Sequence, residues 1–115
     1  MSAAHRKLDN LTVMLDHNHL QIDGNNDDVC SLGDIAKKFE ALGFTCYTVE
    51  NGHDIAAIVE ALNAPHNGRP KFICCETVKG HGVSFMENQA GWHGKAPNEE
   101  QYKQAMRELG VSIDG

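Results

Sequence analysis

Three stretches of this chain carry apolar residues in short, unbroken runs. Leu11-Thr-Val-Met-Leu15 is rich in strand formers and predicts a strand buried on both faces. Thr45 to Val49 and Lys71 to Glu76 predict two more. Between and after them the spacing changes to that of helices. Ser31, with Asp34 three residues on, predicts a capping box; the following helix sets Ile35, Phe39 and Leu42 on one face and stops at Gly43. A second helix begins near Asp54, with Ile55, Ile58, Val59 and Leu62 at i, i+3, i+4 and i+7. Pro65 to Pro70, with Asn67-Gly68 inside, breaks it. A third is capped by Asn98, with Gln101 at its third position and Glu99 and Glu100 in its first turn. Its apolar face is Tyr102, Ala105, Met106 and Leu109, and Gly110 ends it.

The resulting order, β-loop-α-β-α-β-loop-α, predicts an α/β fold: a three-layer arrangement of a parallel sheet with flanking helices. About three strands and three helices make a thin sheet, since a parallel sheet normally has both faces covered. The pattern reads as part of a larger domain, completed by further strands or by a partner. Two connections are far longer than the roughly two to six residues usual in α/β units. They are Asp16 to Leu32 and Thr77 to Pro97. Both leave carboxyl ends of strands, the edge where open α/β sheets bind ligands.

Composition narrows the classes. The chain has 115 residues, 41% hydrophobic and 23% charged, as an ordinary globular domain has. A formal charge of −6 argues against a nucleic-acid partner, which needs a basic face. No apolar run approaches the roughly 20 residues that span a bilayer, and Met1 to Asn10 is too polar for a secretory signal. Cys30, Cys46, Cys74 and Cys75 lack paired CxxC spacing, and neighbours in a strand face opposite sides of a sheet. Buried free thiols in a reducing cytosol are the expectation.

The first long loop opens Asp16-His-Asn-His-Leu-Gln-Ile-Asp-Gly24. Its oxygen-bearing side chains suit a hard cation such as magnesium, shared with a ligand phosphate. The plainer alternative is that Asp16 and Asn18 form Asx turns after the strand. His17 and His19 offer a weak zinc pattern, though solvated loop histidines are commoner. The second loop reads Thr77-Val-Lys-Gly-His-Gly-Val-Ser-Phe-Met-Glu-Asn88, then Trp92-His-Gly-Lys-Ala-Pro97. Gly80 and Gly82 permit close backbone approach to a ligand, and Lys79, His81, His93 and Lys95 can meet phosphate. Its alternative is a surface flap held down by Trp92 and Phe85. Neither GxxxxGK[ST] nor GxGxxG is present.

These two loops, with Lys7-Leu-Asp-Asn-Leu-Thr-Val13 and Trp92-His-Gly-Lys-Ala-Pro-Asn98, resemble transketolase, most closely the short N-terminal subunit of split bacterial and archaeal transketolases. The resemblance runs in order over nearly the whole chain. It implies that residues 1–115 are the later part of the N-terminal, diphosphate-binding domain, an incomplete thiamine-diphosphate-binding fold. It implies thiamine diphosphate and Mg2+ as cofactors. Asn18 matches a side-chain magnesium ligand, Leu20 a backbone-carbonyl ligand, and Ile22 an apolar residue packed on the cofactor. Lys79 and Gly80 match positions at the cofactor pocket, and His93 a histidine touching both diphosphate and sugar substrate, the catalytic candidate.

The activity implied is transfer of a two-carbon ketol unit between sugar phosphates by a cytoplasmic transferase of the pentose phosphate pathway. The family's motif opens with Gly-Asp-Gly, and none occurs here, so the metal's carboxylate ligand is missing. The pyrimidine-binding domain with its activating glutamate is missing too. A subunit inactive without partner chains is therefore expected. Its partner would be a transketolase C-terminal subunit carrying the pyrimidine domain, or a second copy in a homo-oligomer. The alternative is a truncated, non-catalytic relic that binds a phosphorylated ligand or a protein; a zinc-binding module comes third.

Overall fold

We describe the fold from a computed structural model, which describes residues 1–21, 24–25 and 33–112. The chain forms two compact units. The first comprises Met1–Asn18 with Leu32–Thr77, the second His19–Ser31 with Val78–Gly115.

The first unit holds α1 (Ser2–His5), β1 (Thr12–His17), α2 (Ile35–Ala41), β4 (Thr45–Val49), α3 (Ile55–Asn63) and β5 (Lys71–Glu76). The second holds a small antiparallel pair, β2 (Leu20–Gln21) with β3 (Gly24–Asn25), and α4 (Glu99–Glu108). In the first unit the strands lie in the order β1-β5-β4, all parallel. The expected element order and parallel sheet are therefore present.

Residue alternation sorts the two faces. Phe72 and Cys74 of β5 join Val13 and Leu15 of β1 and Cys46 of β4, under Ile35 and Phe39 of α2 and beside Phe44. The Phe39 ring stacks on Phe72 with centroids 4.0 Å apart and meets Phe44 edge-on at 5.1 Å. On the opposite face Ile73, Cys75 and Val49 pack against Ala57, Ile58 and Ala61 of α3. Phe72 and Ile73 are almost wholly buried, each contributing about 1.5–3 kcal/mol through the water it sheds.

Helix ends show why the chain turns where it does. At α2, Phe44 N–H donates to Phe39 C=O and Gly43 N–H to Glu40 C=O, both over 3.0 Å, with Gly43 at φ +96°. That is a Schellman closure, completed by the Phe39–Phe44 contact. α4 ends the same way, with Val111 and Gly110 donating to Met106 and Arg107. α3 cannot do so, because Ala64 is extended and Pro65 follows it. Its final carbonyls are taken by Lys71. The fully buried Lys71 Nζ donates to Ala61 O (2.9 Å), Leu62 O (2.7 Å) and Ala64 O (3.0 Å). A cation at a helix C-terminus also complements the helix dipole.

Several expectations change. β1 continues to His17, not Leu15, because parallel pairing with β5 carries Asp16 and His17 along the ladder. Met14 is 45% exposed, so β1 is not buried on both faces; β5 is the strand with that burial. Asp34 itself caps α2, accepting from Lys37 N–H at 3.0 Å, whereas Ser31 lies outside the described residues. Leu42 is the C-cap and points outward rather than into the core. α3 rests on Ala57, Ile58 and Ala61, whose two small side chains suit close approach to the sheet. Ile55, Val59 and Leu62 are therefore exposed. On α4, Ala105 is buried while Tyr102 and Leu109 are exposed. The capping box of α4 forms as expected, Asn98 accepting from Gln101 N–H and Gln101 Oε1 from Asn98 N–H. Among the described residues no helix is long and apolar enough to cross a membrane.

Lys71→Met keeps the aliphatic stem but takes the ammonium donor from the Leu62 and Ala64 carbonyls, and leaves Ala61 O with the Ala64 N–H alone. We expect a loss of about 2–4 kcal/mol in urea unfolding. A change under about 0.5 kcal/mol would show that water serves the helix end equally well.

Candidate functional site

The parallel register sets the ends of β1 and β5 side by side, His17 opposite Glu76. His17 Nδ1 lies 2.8 Å from Glu76 Oε1; since a carboxylate only accepts, that nitrogen carries the proton. The Cys74 thiol donates to the same Glu76 oxygen over 3.6 Å. Burial first, then the neighbouring Glu76 charge, pushes the Cys74 thiol up to about 11. On the other face Asp16 accepts from the Thr77 hydroxyl, so it stands in the ladder rather than opening the loop. The turn after β4 closes on this edge: Gly52 N–H donates to Glu76 C=O at 2.7 Å. A Cβ on Gly52 would lie 2.6 Å from Thr77 Cγ2 and 2.8 Å from Glu76 O, so only glycine fits. Asn18, half-buried, ends the first of the two segments that make up the first unit.

The first motif loop from His19 onward and the second from Val78 onward belong to the second unit. Leu20 is half-buried and pairs with Asn25 across the β2–β3 ladder. Val78 to Asn88 is a chain of tight turns. His81 N–H donates to Val78 C=O and Val83 N–H to Gly80 C=O, while Asn88 N–H closes onto Lys79 C=O at 2.9 Å. Gly80 sits at φ +75°, and a Cβ there would lie 2.6 Å from the Met86 carbonyl oxygen. The space that demands glycine at 80 is thus taken by the loop's own backbone. Gly82 N–H donates to Glu87 Oε1 (3.1 Å), and Val83 is buried.

Farther along, Trp92 Nε1 donates to Phe85 C=O at 3.0 Å with the rings 5.4 Å apart, and Lys95 Nζ sits 4.5 Å above the Trp92 ring. The flap anchor expected of Trp92 and Phe85 therefore exists, and Lys95 is engaged with it. His93 follows this turn and is exposed, and Lys79 is half-buried. Ser84 holds the loop to α4: its N–H and Oγ donate to the two Glu108 oxygens at 2.9 and 2.5 Å.

Leu20, Lys79, Gly80 and His93 therefore share the second unit, Asn18 belongs to the first, and Ile22 and Cys30 lie outside the described residues. The donor chemistry suits a diphosphate with a hard cation in part. An amide oxygen and a backbone carbonyl are hard ligands, and ammonium, imidazole and amide N–H groups meet phosphate oxygens. A metal-binding carboxylate is the part these candidates lack. The His17–Cys74–Glu76 trio was not anticipated from the sequence, because it depends on strand register. The available signal was Cys74 and Glu76 two apart on one strand face. Cys46, Cys74 and Cys75 are free thiols, and Cys74 and Cys75 face opposite sides as expected.

A family model described as the transketolase thiamine diphosphate binding domain matches residues 1–114. An apulose-4-phosphate transketolase subunit of Actinobacillus succinogenes is 36% identical over 110 residues, covering 95% of this chain and 40% of that protein. The 6-deoxy-6-sulfo-D-fructose transketolase subunit SqwG of a Clostridium species is 34% identical, covering 95% of this chain and 40% of that protein. Among solved structures, the transketolase of Campylobacter jejuni superposes with a TM-score of 0.82 at 28% identity, over 99% of this chain and 18% of that one. A Pichia stipitis transketolase reaches 0.88 at 25% identity, over 99% and 17%. The chain thus spans about two-fifths of the transketolase subunits it matches.

Two outcomes test the loop. Gly80→Ala should abolish hydrogen-exchange protection at Asn88, while Gly94→Ala, where nothing lies within 4 Å of the new Cβ, should retain it. Equal behaviour of the two would mean that the Met86 contact is unimportant. The Ser84 hydroxyl and amide hold the exposed Glu108 carboxyl below the usual glutamate range. The tie is thus fully present above that range and is lost as pH falls through the lowered value. The Ser84 amide resonance should titrate below an ordinary glutamate, and Glu108→Gln should remove the transition.

Proposed function

The chain belongs to the transketolase thiamine-diphosphate-binding family, and from this we propose that it supplies one side of a thiamine diphosphate–Mg2+ site in an assembly with other chains. That assembly transfers a two-carbon ketol unit between sugar phosphates in a cytoplasmic setting. The observation that carries this reading is the family match across residues 1–114 together with relatives whose names make them one subunit of a transketolase. One subunit implies another, here one bringing the pyrimidine domain.

In this reading Asn18 Oδ1 and the Leu20 carbonyl are the oxygens offered to Mg2+, and Ile22 packs on the cofactor. Lys79 and the Gly80 amide face the diphosphate. The His93 imidazole would meet a diphosphate oxygen and assist proton movement at the sugar hydroxyl. Thiamine diphosphate supplies the carbanion chemistry; this chain binds and orients. The metal's carboxylate and the activating glutamate come from outside these residues. The absence of Gly-Asp-Gly from all 115 residues favours a second reading, a non-catalytic module for a phosphorylated ligand or a protein.

The only tryptophan, Trp92, adjoins His93 and makes intrinsic fluorescence a convenient readout. Titration with thiamine diphosphate and Mg2+ should give saturable, Mg2+-dependent quenching once a pyrimidine-domain subunit is added. Asn18→Ala should weaken the Mg2+ dependence by about tenfold or more. A chain that neither co-elutes with such a subunit nor responds in its presence would exclude the assembly. Ketol transfer by the assembled chains that is lost with Asn18→Ala would exclude the non-catalytic module.

A further inference from the structure

At the carboxyl edge of the sheet the strand register gathers an imidazole, a thiol and a carboxylate that the cofactor reading does not use. His17 Nδ1, Cys74 Sγ and a Glu76 oxygen all lie within 4.8 Å of one another. We propose that His17, Cys74 and Glu76 form a binding site for a borderline-soft divalent cation of the zinc class, clipping the end of β1 to the end of β5.

Three observations carry it. The first is spacing. Tetrahedral zinc with bonds of about 2.0–2.3 Å sets sulfur and oxygen ligands about 3.6 Å apart and nitrogen and oxygen about 3.3 Å apart. Here the sulfur–oxygen distance is 3.6 Å and the nitrogen–oxygen distance 2.8 Å, so seating an ion requires opening the latter by about half an ångström. The second is donor type. Thiolate with imidazole selects zinc or cobalt, whereas magnesium takes oxygens. The third is setting. Cys74 is 5% exposed and packs with Phe44 and Phe72, with Leu15 and Ile35 at the rim of that cluster, an apolar floor that strengthens ion–ligand attraction.

On binding, the ion displaces the thiol proton of Cys74. The His17 proton moves to Nε2, so that Nδ1 becomes a lone-pair donor. One thiolate, one carboxylate and one neutral imidazole around a dication leave no net charge in a half-buried place. Other described cysteines do not compete: Cys75 faces the α3 side, and the Cys46 thiol donates to Ala36 and Phe44 carbonyls.

The test uses the full chain, freed of metal and titrated with Co2+ and then Zn2+. We expect one equivalent of Co2+ to bind, with a thiolate-to-cobalt band in the near ultraviolet that Zn2+ abolishes and millimolar Mg2+ does not. Cys74→Ser should remove the band and His17→Gln should weaken binding by about a hundredfold, while Cys75→Ser should leave both unchanged. No thiolate band in the wild-type chain, or one that survives Cys74→Ser, overturns the proposal without reference to any variant's folding. The inference does not rest on the thiamine diphosphate reading, since neither that cofactor nor a partner subunit enters the assay.

Discussion

The Lys71 ammonium, seated against three carbonyls at the end of α3, is the contact on which the first unit's architecture depends. A strand buried on both faces ought to begin with an apolar residue, and this one begins with a charge that is entirely inaccessible. The charge is tolerated because α3 ends without a Schellman closure and leaves carbonyl oxygens pointing at it. Neither defect is stable alone: an unpaired buried ammonium and an uncapped buried helix end each cost several kcal/mol. Together they join the last turn of α3 to the first residue of β5, six residues after Pro65. The short linker between them, with Asn67 and Gly68 at positive φ, has only to reverse the chain.

With the start of β5 pinned, parallel pairing determines everything at its other end. Lys71 pairs with Thr12 on one side and Thr45 on the other. Five residues later the same register brings His17 opposite Glu76. A slip by one residue would exchange the faces, moving Cys74 from the α2 side to the α3 side and breaking the imidazole–carboxylate pair. The helix end and the chemistry of the carboxyl edge are thus linked through the length of one strand, and the strand's burial makes the link rigid.

This coupling also explains what could be read from the amino acids. Elements whose evidence is local were legible: the strand at Lys71–Glu76, the stops at Gly43 and Gly110, and the Asn98–Gln101 box all follow from short-range chemistry. The motif loops stood out through glycine, histidine and lysine in unusual density, and the tight turns and the Trp92–Phe85 anchor of the second are local features of that kind. What failed depended on partners distant in sequence. Ile55, Ile58, Val59 and Leu62 make the best periodic stripe, but of these Ile58 alone packs, beside Ala57 and Ala61, whose small side chains let the helix lie closer to the sheet. β1 ran past Leu15 because its length is set by β5, not by its own hydrophobicity. The His17–Glu76 pair spans 59 positions and has no sequence signature.

The same commitments bear on the magnesium site proposed at Asn18. Asn18 follows directly after β1, and the paired ends of β1 and β5 carry the acids Asp16 and Glu76. Asp16 accepts from Thr77 on one face, and Glu76 is shared by His17 and Cys74 on the other. Recruiting either to a cation bound by Asn18 would break a contact that holds the ends of β1 and β5 together, and would strand a partly buried donor in its place. Among the described acids of this edge, none is at liberty without that cost. In the proposed assembly, a carboxylate brought from outside these residues would meet the metal without disturbing the register, and for that reason another segment or chain would be the physically less costly route to a complete site.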